Sequence, residues 1–402
     1  MSVYLLILIQ LIGYGPWELV GPEGGEVKAL LQSTQNDSTF FAISGANPTQ
    51  VLSSTNSGDT WATISDFFGN ALDMVMTENG TLIALGSSRI WISDDNGLTW
   101  VENYISNRYF EDGVVHPTDG DRIFAAGQVY SGGNWNMTFF NSSDGGNSWS
   151  ETELVASANT SYGKCVAVSR SNPDFIMVGG YESVGGLSTP YIFKSTDGGA
   201  SFTAITPTEA SYYINSVAFH PDDSDILLAG ALTKMYRSTD GGSTWSENAA
   251  SLYYNYGMTF STVDTDLVMC GANDSKIHMS SDAGQTWTSI TTGLSGEGIK
   301  WVVPDASDVS KVYTGSTSGF FRSNDEGYTW DINNSGLLVG NVMCIEYMNG
   351  EIFLNMEDLG LFKATDGAEL NWTEVTMPLD CGNFCALEST GADTILAFEG
   401  SG

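Results

Sequence analysis

The chain has 402 residues, of which 42% are hydrophobic and only 15% charged, with 46 Gly and 11 Trp; this supplies a packed core and excludes a disordered polymer. Against 14 Lys and Arg stand 48 Asp and Glu, a formal charge of −34. A surface of that sign repels phosphate backbones and anionic headgroups, which excludes nucleic acid as a partner and gives no reason for membrane insertion.

The chain opens on MSVYLLILIQLIG (1–13), apolar, without a basic leader, and too short to span a bilayer. VYLLILIQ reads as a strand and WELV as an outer strand of a blade; a degenerate signal peptide is the alternative for the first stretch. From residue 54 one motif returns, Ser-x-Asp-x-Gly-x-Thr-Trp: STNSGDTW (54–61), SDDNGLTW (93–100), SSDGGNSW (142–149), STDGGASF (195–202), STDGGSTW (238–245), SSDAGQTW (280–287), SNDEGYTW (323–330) and a degraded ATDGAELNW (364–372). The closing aromatics recur every 39 to 53 residues, the spacing of propeller blades. Each period reads alike: two apolar runs such as VAFHP and ILLAGAL, then KMYRS, the box and TWSEN, which predicts four strands and four turns.

Turn chemistry explains the box. Asp95, Asp144, Asp197, Asp240, Asp282, Asp325 and Asp366 are read as turn residues whose carboxylates accept backbone N–H bonds, ahead of any metal ligation. Gly takes a conformation that a Cβ disfavours, and Trp61, Trp100, Trp149, Trp245, Trp287 and Trp330 act as hydrophobic plugs. Asn56 stands in for the acid in the first box. The expected fold is all-β: a β-propeller of eight complete four-stranded blades, with residues 1–16 as an apolar closing or donor segment and 17–402 as a single propeller domain.

These boxes resemble those of the Asp-box, or BNR-repeat, propellers, a superfamily that includes sialidases, sortilin-type receptors, photosystem assembly factors and xyloglucan-cleaving glycoside hydrolases. The resemblance covers nearly the whole chain and implies boxes between third and fourth strands, on the side of the ring away from most substrate sites. It implies no activity, because enzymes and non-enzymes share it. The sialidase Arg-Ile-Pro motif is absent, and only six arginines are present. Where the xyloglucan-cleaving relatives carry an early catalytic Asp, this chain has ISGANPTQ (43–50), without a carboxylate, so no catalytic residue is nominated.

The face opposite the boxes is expected to carry aromatics: Phe67, Phe68, Tyr109, Phe110, Tyr162, Tyr212, Tyr213, Tyr253, Tyr254 and Tyr256, joined by Trp135 and near Glu111, Asp112 and Glu209. They either stack sugar rings or pack between blades and plug the channel, the second being the plainer reading. His116 and His220 precede Pro in turns and His278 stands alone, so no zinc spacing exists; neither metal nor cofactor is expected. Asn36, Asn79, Asn159 and Asn333 are the candidate N-glycosylation acceptors, and Cys381 with Cys385 is the candidate disulfide, two free thiols being the alternative.

After the last box, FCALEST and TILAFEG amount to half a blade, and the N-terminal strands could complete it, in cis or by exchange with a neighbouring copy. With no catalytic motif, the expectation is an extracellular or cell-surface structural glycoprotein, not an enzyme, that self-assembles through its termini and can form filaments. The alternative is a glycan-binding or glycoside-hydrolase-like propeller with glycans as its partners.

Overall fold

The computed structural model describes residues 26–332 apart from short breaks at 45–48, 68, 156–158, 209, 211, 251–254, 274–275, 295–297, 300 and 318, and the backbone of strands lying between 342 and 399. Every element among the described residues is a β-strand. The first sheet holds β1–β4 (Val27–Gln32, Phe40–Ser44, Thr49–Ser54, Ala62–Phe67) and the second β5–β10 (Ala71–Met76, Leu82–Ser93, Val101–Val115, Ile123–Ser131, Asn134–Ser142, Ser150–Glu153). The third and fourth are β11–β14 (Thr160–Val168, Ile176–Val184, Leu187–Ser195, Thr203–Ala204) and β15–β18 (Ile214–Phe219, Leu227–Ala231, Lys234–Ser238, Ser246–Ala250). The fifth and sixth are β19–β22 (Asn255–Phe260, Val268–Ala272, Ile277–Ser280, Thr288–Ile290) and β23–β26 (Val302–Pro304, Val312–Ser316, Gly319–Ser323, Asp331–Ile332). Beyond them come β27–β30 (Val342–Met348, Glu351–Met356, Gly360–Thr365, Thr373–Glu374) and the pair β31–β32 (Phe384–Ser389, Ile395–Glu399).

The molecule is an all-β propeller, but among the described residues it has six blades of four strands each and not the expected eight. The shortfall has a local cause. β6 runs for 12 residues and β7 for 15, through the point where the second and third repeats would part. Ser87 pairs with Tyr109 beyond the Arg89–Tyr104 pair, so both repeats share one six-stranded sheet.

The ring closes on its own first sheet. The inner strands β1, β5, β7, β11, β15, β19 and β23 pack in succession, and β23 and β24 return to β1. At that seam the Trp301 indole N–H donates to the Lys28 carbonyl at 2.9 Å, Phe40 meets Tyr313 with centroids 4.3 Å apart, and Trp61 meets Phe320 edge-on at 4.9 Å. Among the described residues the ring therefore closes by face packing between 27–67 and 302–332. Residues 1–16, expected to close or be donated, lie outside the described residues.

Burial follows the strand period. Apolar side chains from neighbouring repeats interlock between blades, as where Val27, Leu52 and Phe320 meet across the seam and Phe124, Phe139 and Val178 between β7–β10 and β11–β14. Each described box forms one repeated network. In the third repeat the Ser142 hydroxyl donates to Asp144 Oδ1 at 2.9 Å and accepts the Gly146 N–H at 2.9 Å; Asp144 Oδ1 in turn accepts the Ser148 N–H at 2.8 Å. Asn56 substitutes in the first box, its Oδ1 accepting the Thr60 N–H at 2.9 Å. The side-chain donors hold these acids below the usual carboxylate range, Asp197 at about 2 through the Ser201 hydroxyl and N–H. Trp61 and Trp330 are buried, whereas Trp100, Trp149, Trp245 and Trp287 are half-buried plugs against the clusters between blades. Asp366 lies outside the described residues.

Candidate functional site

In an antiparallel meander the turns between first and second and between third and fourth strands fall on one side, and the second-to-third hairpins on the other. The boxes occupy the first side. On the second, two hairpins stand out: β8, β9, β12 and β13 have nine residues each, against four to six in the corresponding strands of the other four-stranded sheets of the ring. Their tips are Gly132-Gly133 and Gly185-Gly186, all at positive φ, which permits two-residue turns matched to strand twist. Leu187 at one tip is 76% exposed.

Along these hairpins lies a row of aromatics drawn from separate elements. Tyr109 of β7 meets Trp135 of β9 at 6.5 Å between centroids, and Trp135 meets Tyr130 at 5.3 Å. Tyr162 stacks on Tyr181 at 4.9 Å, Tyr181 meets Tyr213 at 4.6 Å, and Tyr213 meets the exposed Tyr212 at 6.3 Å. Tyr212 holds φ +70°, a conformation rare for a bulky residue and commoner at binding sites. Burial first, then the neighbouring Tyr162 and Tyr213 and the Glu111 charge, push the Tyr181 phenol up to about 12.

Not every expected aromatic joins this row. Phe67 is buried against Trp91 and Trp100, and Phe110 against Phe140 and Trp149, so both are core. Tyr256 is half-buried and its hydroxyl donates to Asn273 Oδ1 at 3.4 Å. Phe68, Glu209, Tyr253 and Tyr254 lie outside the described residues. Tyr130, Tyr181, Tyr191 and Glu182 were not picked out from sequence. Their signal was the repeat spacing, widest between the aromatics at 100, 149 and 202, where the long hairpins insert.

Carboxylates differ by depth. Glu111, half-buried, pairs with the Lys164 ammonium. Glu182 is buried and accepts from Asn159 Nδ2 at 3.0 Å and from the Tyr191 hydroxyl at 3.2 Å. Deeper still, Asp73 Oδ2 accepts the Gly113 N–H at 2.9 Å and Asp112 Oδ2 the Val166 N–H at 2.7 Å, each acid stapling its strand to the next repeat. Burial raises both: Asp73 to about 7, and Asp112 well above the usual range, with Asp73's charge as a further cause.

The remaining candidates read as turns or core. His116 Nδ1 accepts the Thr118 N–H at 3.3 Å and His220 Nδ1 the Asp222 N–H at 3.2 Å. No cluster of three metal-ligating side chains occurs among the described residues. Asn36 and Asn79 are exposed in turns, Asn159 is half-buried with its amide held by Glu182, and Asn333 lies outside the described residues. So do the side chains of Cys381 and Cys385; Cys165 and Cys270 are buried free thiols, and burial pushes the Cys270 thiol up to about 12.

The model of the DUF6242 beta propeller domain matches residues 34–255, more than half of the chain. The chain belongs to that family. Among curated proteins this DUF6242 propeller is 25% identical over 307 residues to a xyloglucanase of Hypocrea jecorina (strain QM6a), covering 73% of this chain and 33% of that protein. Among solved structures it resembles an ancestral GH74 enzyme (TM-score 0.73, 15% identity, 97% of this chain, 60% of that one). It also resembles the GH74 xyloglucanase of Xanthomonas campestris (TM-score 0.51, 14% identity, 89% of this chain, 67% of that one). The DUF6242 propeller thus spans about a third of the curated relative's length, and the structural likeness is one of fold. These comparisons overturn the expected filament-forming structural role, because the relatives are glycoside hydrolases; they favour the glycan-directed alternative.

Proposed function

We propose that this propeller is a glycan-binding module of glycoside-hydrolase type, holding a neutral glucan of the xyloglucan class along the aromatic row. The row itself carries the reading: Tyr109, Trp135, Tyr162, Tyr181 and Tyr213 present ring faces and edges beside half-buried polar groups, the arrangement against which the C–H faces of sugar rings pack. The charge of −34 disfavours anionic glycans and leaves neutral ones. The xyloglucanase relative supports the substrate class. A polymer of that size is met outside the cell, so the module acts extracellularly.

Hydrolysis is the second reading, favoured by the activity named for the relatives. It needs two carboxyl groups flanking the bond. Glu111, tied to Lys164, and Glu182, buried under two donors, are engaged in other bonds here, so binding is the reading placed first.

Titration calorimetry with polymeric xyloglucan, with reducing-sugar release followed in parallel, tests both. Tyr181→Ala should weaken binding about tenfold, the equivalent of ~1.4 kcal/mol, with little change in melting temperature. A wild-type protein that neither binds nor cleaves xyloglucan ends the proposal.

A further inference from the structure

The inner strands share an irregularity that the aromatic row does not use. β1, β5, β7, β11 and β15 each skip one residue in pairing with their second strand, at Lys28, Leu72, Glu111, Lys164 and Asn215, and β19 skips Tyr256 and Gly257. A bulge bends its strand and re-aims the extra side chain. Here five of the six strands aim it at one place: Leu72, Glu111, Lys164, Asn215 and Tyr256 all line a cavity of about 730 Å³ running the length of the inner strands, down to His116 and Arg170 near the box side. The volume lies within the roughly 300–1,000 Å³ of small-ligand pockets.

Leu72, Glu111, Lys164, Asn215 and Tyr256 each sit four residues before their strand ends on the box side, which sets them at one level toward the aromatic side. We propose that this channel mouth is an end-binding subsite, in which Glu111, Lys164 and Asn215 take the terminal sugar of a neutral oligosaccharide. The inference rests on the glycan reading and adds to it the mode of engagement. Three features support it. With one ammonium proton given to Glu111, the pair still offers two donors beside the carboxylate's remaining acceptor sites, and Asn215 adds an amide of both kinds; vicinal hydroxyls, each donor and acceptor at once, match that set. Leu72, Met258 and Trp301 supply apolar wall for the C–H face of the ring. The wall is continuous, since the ring closes through β23, β24 and β1, so a chain enters end-on and not from the side. The mouth also adjoins the aromatic row, because Glu111 lies two residues from Tyr109 on β7 and Lys164 two residues from Tyr162 on β11.

The test compares a short probe rich in ends with a long one. Affinities for cellohexaose and for polymeric xyloglucan are measured on the full chain and on Lys164→Met, Asn215→Leu and Tyr181→Ala. Asn215→Leu leaves the Glu111–Lys164 pair intact, which guards against a variant that fails only by losing a charge partner. The expected result is at least a fivefold loss of cellohexaose affinity in both mouth variants, with polymer affinity changed by less than twofold, while Tyr181→Ala weakens both probes. If Tyr181→Ala acts as expected but the mouth variants weaken both probes alike, or neither, the end-binding inference falls and the aromatic face stands. A wild-type chain that binds neither probe overturns both.

Discussion

The two faces of the ring are built by different rules. On the box side, six turns repeat one network: from Ser93 to Ser323 the Ser hydroxyl lies 2.7–2.9 Å from the Asp carboxylate and the Gly N–H 2.8–2.9 Å from that hydroxyl. On the opposite side no such unit recurs among the described residues. Two hairpins are twice as long as others, aromatics from different repeats meet, and Tyr212 holds a strained backbone. Uniform turns lock the strands of each blade, and that rigidity leaves the other rim free to vary, which is where binding chemistry concentrates in scaffolds of this kind.

Damage to the box side should therefore cost stability and damage to the aromatic side should cost binding. The largest stability effect is expected from Gly199→Ala. Gly199 sits at φ +88°, and an added Cβ would lie 2.7 Å from the Phe139 ring in the neighbouring repeat, so strain and overpacking together should cost roughly 3 kcal/mol. Urea unfolding would measure it, and glycan affinity at low temperature should stay within twofold; a large loss of affinity in the folded variant would erase the division between the faces.

The second effect depends on pH. Burial raises Asp73 to about 7, so the folded chain keeps a proton that the unfolded chain, near 3.8, releases. The stabilisation from that carboxyl is complete below the unfolded value and drains away as pH rises through about 7. Box acids act in the opposite sense: Asp197, held near 2, stabilises above the ordinary carboxylate range and loses its contribution as pH falls toward 2. Melting temperature of the wild type should decline between pH 4 and pH 7, and Asp73→Asn should flatten that decline. An unchanged slope in the variant would remove Asp73 as its source.

The smallest effect is that of Ser238→Ala. It takes the acceptor from the Gly242 N–H and a donor from Asp240, at a buried position, for about 1–2 kcal/mol in calorimetric stability and no change in glycan affinity. A variant as stable as wild type would mean that the box's hydroxyl is dispensable.

How far the sequence could be read follows the range of the interactions. The box spans eight residues and closes its bonds within four, so its turns, strand alternation and the propeller class were legible from Ser, Asp, Gly and Trp spacing alone. Phe67 and Phe110 pack in the core, the plainer of the two alternatives the sequence left open, and the choice could not be made from sequence for a physical reason: strand position tells which residues share a side, but whether that side meets water depends on the next blade. The long spacing around residue 149 marked the extended hairpins, yet nothing local linked Tyr181 to Tyr213.

By itself, then, the sequence determined an acidic all-β chain of repeated four-stranded units, because those units are specified by contacts within a few residues. Only the tertiary structure decided that β6 and β7 merge two repeats, that Trp301 and Tyr313 close the ring on Lys28 and Phe40, and that Asp73 and Asp112 staple buried strands. Those outcomes depend on how strands of different repeats twist and pack against one another, and contacts 40 to 273 residues apart in the chain are not specified by any local pattern.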